Sequence, residues 1–195
     1  MNTIKLTFLA ASVFFVSSCV YYQHEENVNV PEPWNPLEEQ TEIDDAILAT
    51  QQLLVGKLIS HVDGENLDAA VHFCAKNAQT LTDSMSQVSG YQIRRISPKN
   101  RNELNALNAD DKLAFSHFEN SLASGTLDKF FVPENQNAYY TPILLGMPLC
   151  LQCHGKAEDR NPQAYALIQQ YYPNDKAINY DLGALRGMWK VTAGE

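Results

Sequence analysis

Cys150, Cys153 and His154 form the pattern C-x-x-C-H near the end of the chain. This spacing is the attachment signature of c-type haem, in which two thiols bond to the porphyrin and the adjacent histidine reaches the iron. Cysteine and histidine are rare residues, so the pattern arises by chance in about one of every few thousand chains of this length. The sequence therefore predicts one covalently bound haem c with His154 as an iron ligand.

Two other chemistries use a pair of cysteines at this spacing. A thioredoxin-like redox pair begins a helix in a βαβ unit, whereas we expect a strand-to-loop region around Pro148. A zinc site needs four ligands, and the sequence has no second closely spaced cysteine pair. Both alternatives are less favoured than haem attachment.

Cys74 is a candidate for the sixth iron ligand. It lies on the apolar face of a helix predicted over residues 65–90, whose apolar positions recur at steps of three and four: Leu67, Val71, Cys74, Ala78, Leu81, Met85 and Val88. A free thiol in an oxidising compartment needs a role, although a small buried hydrophobic residue is the alternative. Met85 is the main rival, about 16 Å further along the helix.

The remaining donors are less well placed. His72 is on the opposite side of the same helix, and Met147 is so close to Cys150 that it belongs to the proximal side of the haem. We expect His117 at the edge of a third helix, His61 at a helix end and His24 in a spacer.

The N-terminus has the pattern of an export signal. Lys5 is followed by an uncharged stretch over residues 6–16 and by two serines before Cys19. This apolar run is shorter than the roughly 20 residues of a membrane-spanning helix, and it predicts a signal peptide over residues 1–18. The Val-Ser-Ser-Cys end resembles a bacterial lipobox, which predicts lipidation of Cys19; the alternative is a plain signal peptide cleaved nearby.

The rest of the chain divides into a spacer and one domain. Residues 19–36 are polar, acidic and interrupted by prolines, as expected for a flexible spacer after a lipidated residue. Residues 37–195 suffice for a single haem c domain. We therefore expect a periplasmic lipoprotein anchored to a bacterial membrane, the outer membrane in preference to the inner. A net charge of −9 disfavours nucleic acid as a partner.

Helices come first and short strands come later. Periodicity predicts helices over residues 37–62, 65–90, 110–123 and 162–172. Runs rich in β-branched and aromatic residues predict strands at YQIRRIS, DKFFVP, AYYTPILLG and LRGMWKVTA. Without an alternating βα rhythm, this order predicts an α+β fold, an antiparallel sheet preceded by two long N-terminal helices.

Four strings also resemble a known family: AAVHFCAKNAQ, GYQIRRISPKNRNELN, PLCLQCHG and YYPNDKAINYDLGALRGMWKV. Over residues 40–192 the chain resembles bacterial exported haem c proteins long catalogued as a domain of unknown function. The resemblance implies a PAS-like sheet. It also implies that His154 and Cys74 are the two axial ligands of the iron.

Three arginines, Arg94, Arg95 and Arg101, are candidates to pair with the haem propionates by charge-assisted hydrogen bonds. The alternative is a solvated basic strand and loop. We predict that the three arginines bind the cofactor.

These features predict a lipid-anchored haem c protein for electron transfer or for redox or gas sensing, with an unknown redox partner protein. A thiolate ligand stabilises ferric iron and lowers the reduction potential. A haem enzyme of the peroxidase or nitrogen-oxide reductase type is the alternative, and it requires a displaceable sixth ligand. A lipoprotein without haem that only binds a partner is a third possibility.

Replacement of Cys19 tests the anchor. Radioactive fatty acid should label the wild type and leave Cys19→Ala unlabelled, because that thiol is the predicted acylation site. Equal labelling of the two proteins would exclude a lipid anchor at this residue.

Overall fold

The computed structural model describes residues 34–135 and 137–194. The predicted signal peptide, Cys19, His24 and nearly all of the predicted spacer lie outside the described residues. No helix in the described ranges is long and apolar enough to span a bilayer.

Helices make up the first part of this domain, as predicted. The first predicted helix is confirmed as α1, Gln40–Ser60. It is followed by α2, Asp68–Lys76, and α3, Ala78–Ser89. Further along lie α4 at Ala109–Ala123, α5 at Pro148–His154 and α6 at Pro162–Tyr171.

The second long helix was predicted as continuous, and that prediction is wrong. Asn77 interrupts it with φ −119° and ψ −27°, so that α2 and α3 are separate helices. The break changes which face is buried: α3 buries Ala78, Thr82 and Ser86 and leaves Val88 81% exposed. The two hydroxyls tolerate burial because they donate to the carbonyls of Ala78 and Thr82, one turn earlier.

Three antiparallel strands form the sheet: β1 at Tyr91–Ile96, β2 at Tyr139–Leu144 and β3 at Leu185–Ala193. Their order is β1-β3-β2, so the last strand of the chain is central. Ile93 pairs with Val191, which pairs with Tyr139. The strand predicted at DKFFVP is wrong, because Phe131 forms only an isolated bridge with Tyr140.

The C-x-x-C-H motif lies on a helix, which corrects the predicted strand-to-loop region. Pro148 is at the start of α5, where its missing N–H costs no hydrogen bond. Helical context removes one argument against a thioredoxin-like pair. The other argument stands, because α5 follows a strand of an antiparallel sheet and not a parallel βαβ unit.

Separate apolar clusters hold these layers together. One lies between α1, α3 and the sheet, and another between α4 and the opposite sheet face. The third joins α2 to α6 through Leu67, Val71, Ala164 and Ile168, with Leu149 and Cys153 of α5 packed against it. The helix with the motif and the helix with Cys74 are therefore both packed on one cluster.

Candidate functional site

A cavity of about 510 Å³ lies between α2, α5 and the sheet. This volume is within the range of small-molecule and cofactor sites, roughly 300–1,000 Å³. Its lining includes most of the site residues predicted from the sequence: Cys74, Arg95, Arg101, Cys150, Cys153 and His154. Residues up to 80 positions apart in the sequence thus meet at one cavity.

His154 is the last residue of α5, and its imidazole is held by one backbone group. Nδ1 lies 2.8 Å from the carbonyl oxygen of Ala177, which can only accept a hydrogen bond. Nδ1 therefore carries the proton, and Nε2 keeps the lone pair that a metal needs. Burial, with help from Arg101 and Arg186, holds the pKa of His154 well below its usual range. The imidazole is neutral at pH 7, as a ligand must be.

Arg101 fixes the surroundings of this histidine. Its Nε donates to Asp175 Oδ1 at 3.1 Å, and its Nη2 donates to the Cys153 carbonyl at 2.7 Å. Nη2 is also 3.4 Å from the Ala177 carbonyl, and Asp175 Oδ1 accepts from the Ala177 N–H at 2.9 Å. The Arg101–Asp175 pair thus holds both the end of α5 and Ala177, whose carbonyl accepts the hydrogen bond from His154. Sequence reasoning missed this role, because the three segments are far apart in the chain.

Gly155 is a second residue that the sequence analysis did not identify. A Cβ there would lie 2.7 Å from the Leu151 carbonyl oxygen and 2.7 Å from Asp159 Cβ. Its own carbonyl accepts from Asn179 N–H at 3.0 Å, beside the bond from Tyr180 N–H to the His154 carbonyl. The chain can follow this close path after His154 only with glycine. A glycine directly after the C-x-x-C-H motif is the sequence signal that could have indicated this close approach.

Cys74 lies in the last turn of α2, and its side chain is accessible from the cavity. Burial among the cavity walls raises the pKa of its thiol, and Arg95 and then Arg101 oppose that rise. Burial likewise raises the pKa of Cys153, to about 11. Both sulfurs are therefore thiols in this protein at pH 7, and a bound cation would be needed to favour a thiolate.

The other candidate iron ligands in the described ranges lie outside the cavity, with the exception of Met147. Met85 is on α3 beyond the break and does not line the cavity. His72 Nδ1 is 2.6 Å from the Tyr171 hydroxyl, His117 is paired with Asp128, and His61 stacks on Phe73. Met147 does line the cavity and lies directly before α5.

The three arginines predicted to pair with the haem propionates lie in different environments. Arg94 and Arg95 are neighbours on β1 and point to opposite faces. The exposed Arg94 donates to the Leu104 carbonyl at 2.6 Å and does not line the cavity. Arg186 of β3 does line it, with Nη1 3.0 Å from Ser97 Oγ and 3.2 Å from the Lys99 carbonyl. Strict alternation along β3 would place Arg186 on the face of Met188, away from the cavity. The register shift between Ile143 and Leu144 skips Arg186 in the pairing, and sequence reasoning did not predict this irregularity.

Among residues 34–135 and 137–194, no cluster of three or more His, Cys, Asp and Glu side chains could hold a metal ion. The cavity offers one imidazole, three thiols and three guanidinium groups. Fold and site together define an α+β cofactor-binding domain of the C-x-x-C-H type.

Comparison with known proteins gives the family. The sequence profile of the Tll0287-like family matches residues 18–193, and the chain belongs to that family. A crystal structure described as that of the cyanobacterial heme-protein Tll0287 is similar, with a TM-score of 0.63 and 27% sequence identity. The match covers 83% of this chain and 98% of that one. No curated protein matches this chain. The predicted resemblance to a family of haem proteins is confirmed.

Replacement of Asp175 tests the support of His154. In the pair with Arg101 the side chains are 13% and 2% exposed. Breaking a buried pair leaves an uncompensated charge, so Asp175→Asn should lower the free energy of unfolding by about 3–5 kcal/mol. Urea denaturation followed by circular dichroism measures this loss.

The matched control is Asp181→Asn. Asp181 pairs with Lys156 at 2.6 Å, but both side chains are exposed. That change should lower the free energy of unfolding by less than about 1 kcal/mol. Similar losses for the two variants would contradict the structural role of the buried pair.

Proposed function

We propose that this chain is a haem c protein in which thioethers from Cys150 and Cys153 hold the porphyrin and His154 and Cys74 are the axial ligands. One observation carries the proposal: a neutral imidazole, fixed by Ala177, lies at the same cavity as both motif thiols and Cys74. Membership of the family and the similarity to a haem protein support it.

The cavity suits the group chemically. Its walls include apolar side chains such as Leu149, Ile168 and Trp189, which can cover a flat porphyrin. The propionates need cations, and Arg186 has a partly buried guanidinium whose hydrogen bonds go to neutral groups. We assign the predicted propionate role to Arg186. Arg101 has only Nη1 left for such a bond, and Arg94 lies away from the cavity.

A bound haem supplies a reversible one-electron change at its iron. The chain's own residues set the conditions of that change. Ala177 and Arg101 hold the His154 ring, and the apolar walls keep water away. As a thiolate ligand, Cys74 would donate electron density and favour the ferric state, which would lower the reduction potential.

These properties suit electron transfer, or redox or gas sensing, at low potential. We further propose that the protein works in the periplasm, held at a membrane by a lipid on Cys19, and exchanges electrons with a redox protein. The haem enzyme alternative requires that Cys74 leave the iron easily.

Covalent attachment is tested by extraction. When the protein is matured in a host that assembles c-type cytochromes, acid-acetone should leave one haem on the wild-type chain. Cys153→Ala removes one of two thioether bonds, so part of the haem should be lost on denaturation. Complete loss of haem from the wild type would contradict the proposal.

Ligation by Cys74 is tested with ferric electron paramagnetic resonance and redox titration. Cys74→Ser should change the spectrum and raise the potential, because a strong thiolate donor is lost. Met85→Leu is the control and should change neither, since Met85 does not line the cavity. The opposite pattern would make Met85 the ligand.

The same variant separates a carrier from an enzyme. Ferrous wild type with two protein ligands should resist carbon monoxide, whereas Cys74→Ser should bind it rapidly. Rapid binding by the wild type would favour the haem enzyme.

A further inference from the structure

Arg95 has an unusual environment for a cation. It extends from β1 to the cavity wall, and its guanidinium Nη2 is 3.3 Å from the Ala78 carbonyl oxygen. Its Nε is buried and has no hydrogen-bond partner within the described part of the chain. No carboxylate there lies within ion-pairing distance of it, in contrast to Arg101 and Lys190. An arginine stays protonated, so this buried charge needs an anion.

The position of the guanidinium points to Cys74. Ala78 begins α3 directly after the break at Asn77, and Cys74 lies in the last turn of α2 before that break. The Ala78 carbonyl to which Arg95 donates is four residues after Cys74, and Ala78 belongs to the lining of the cavity. The Cys74 and Arg95 side chains also line the same cavity.

We propose that Arg95 is the counter-charge of the Cys74 sulfur, holding it as an iron ligand and raising the reduction potential above that of an unassisted thiolate. This inference rests on the proposed ligation by Cys74. Hydrogen bonds and positive charge at a ligand sulfur reduce the electron density that it donates to iron. Arg95 is thus a positioning residue that acts through the ligand.

This assignment differs from the propionate role predicted for Arg95 from the sequence. The guanidinium bonds to the helix break beside Cys74, while Arg186, on the central strand, is anchored to the Ser97–Lys99 segment. The two cations are therefore anchored to different segments of the cavity lining. They can therefore serve two different anions.

The experiment is a double-mutant cycle on the haem-loaded protein, with redox titration and ferric electron paramagnetic resonance. Arg95→Gln should shift the potential downward and alter the spectrum, while Arg95→Lys, which keeps the charge, should recover part of the shift. Arg94→Gln is the matched control: its residue is adjacent on the same strand but exposed and outside the cavity. It should change neither measurement.

The cycle is completed in the Cys74→Met background, where the ligand sulfur is neutral. The Arg95→Gln shift should be clearly smaller there, because the negative charge with which Arg95 is proposed to couple has been removed. An equal shift in both backgrounds would mean that Arg95 acts as a general cavity charge or binds a propionate, and would overturn the inference alone. If Cys74→Ser leaves the spectrum of the wild type unchanged, the proposed ligation fails, and the inference fails with it.

Should Arg95→Gln fail to fold, Arg95→Lys carries the same test. A lysine ammonium lacks the planar fork of arginine, so the spectrum should still change in the wild-type background and not in Cys74→Met. No change in the wild-type background would also overturn the inference.

Discussion

The hydrogen bond from His154 Nδ1 to the Ala177 carbonyl is the contact on which the site depends. It selects the ring nitrogen that can bind a metal and orients the imidazole. The neighbouring Arg101–Asp175 pair holds that carbonyl in place. Asp175 binds the Ala177 N–H, and Arg101 binds Asp175, the Ala177 carbonyl and the end of α5. A charged pair that is nearly excluded from solvent is costly unless each donor and acceptor is used, and here most of them are.

The surroundings of Cys74 are organised differently. The break at Asn77 ends α2 just after Cys74, and it lets Arg95 reach the Ala78 carbonyl beside that cysteine. One side of the cavity therefore holds the Arg101–Asp175 ion pair, and the other holds a cation that pairs with no carboxylate among the described residues. We infer that the ion pair fixes the histidine and that Arg95 balances the negative charge of the ligand sulfur.

The sequence identified what short-range patterns encode. C-x-x-C-H is a local signature, and periodicity along α2 correctly assigned Cys74 to the cavity side. The same periodicity failed beyond Asn77, because the buried face of α3 depends on contacts such as Ser86 Oγ accepting from Ile93 N–H at 2.9 Å. The role of Arg101 depends on Cys153, 52 positions away, and that of Arg186 on Ser97, 89 positions away. No spacing rule within a helix or strand relates residues at such distances.

Iron K-edge X-ray absorption tests the central claim most directly, because it reports which elements bind the metal. For the haem-loaded wild type, our account predicts one sulfur in the first coordination shell together with nitrogens of the porphyrin and of His154. That sulfur should be lost in Cys74→Ser and kept in Met85→Leu. A wild-type spectrum without sulfur, or one in which the sulfur survives Cys74→Ser, would contradict the account.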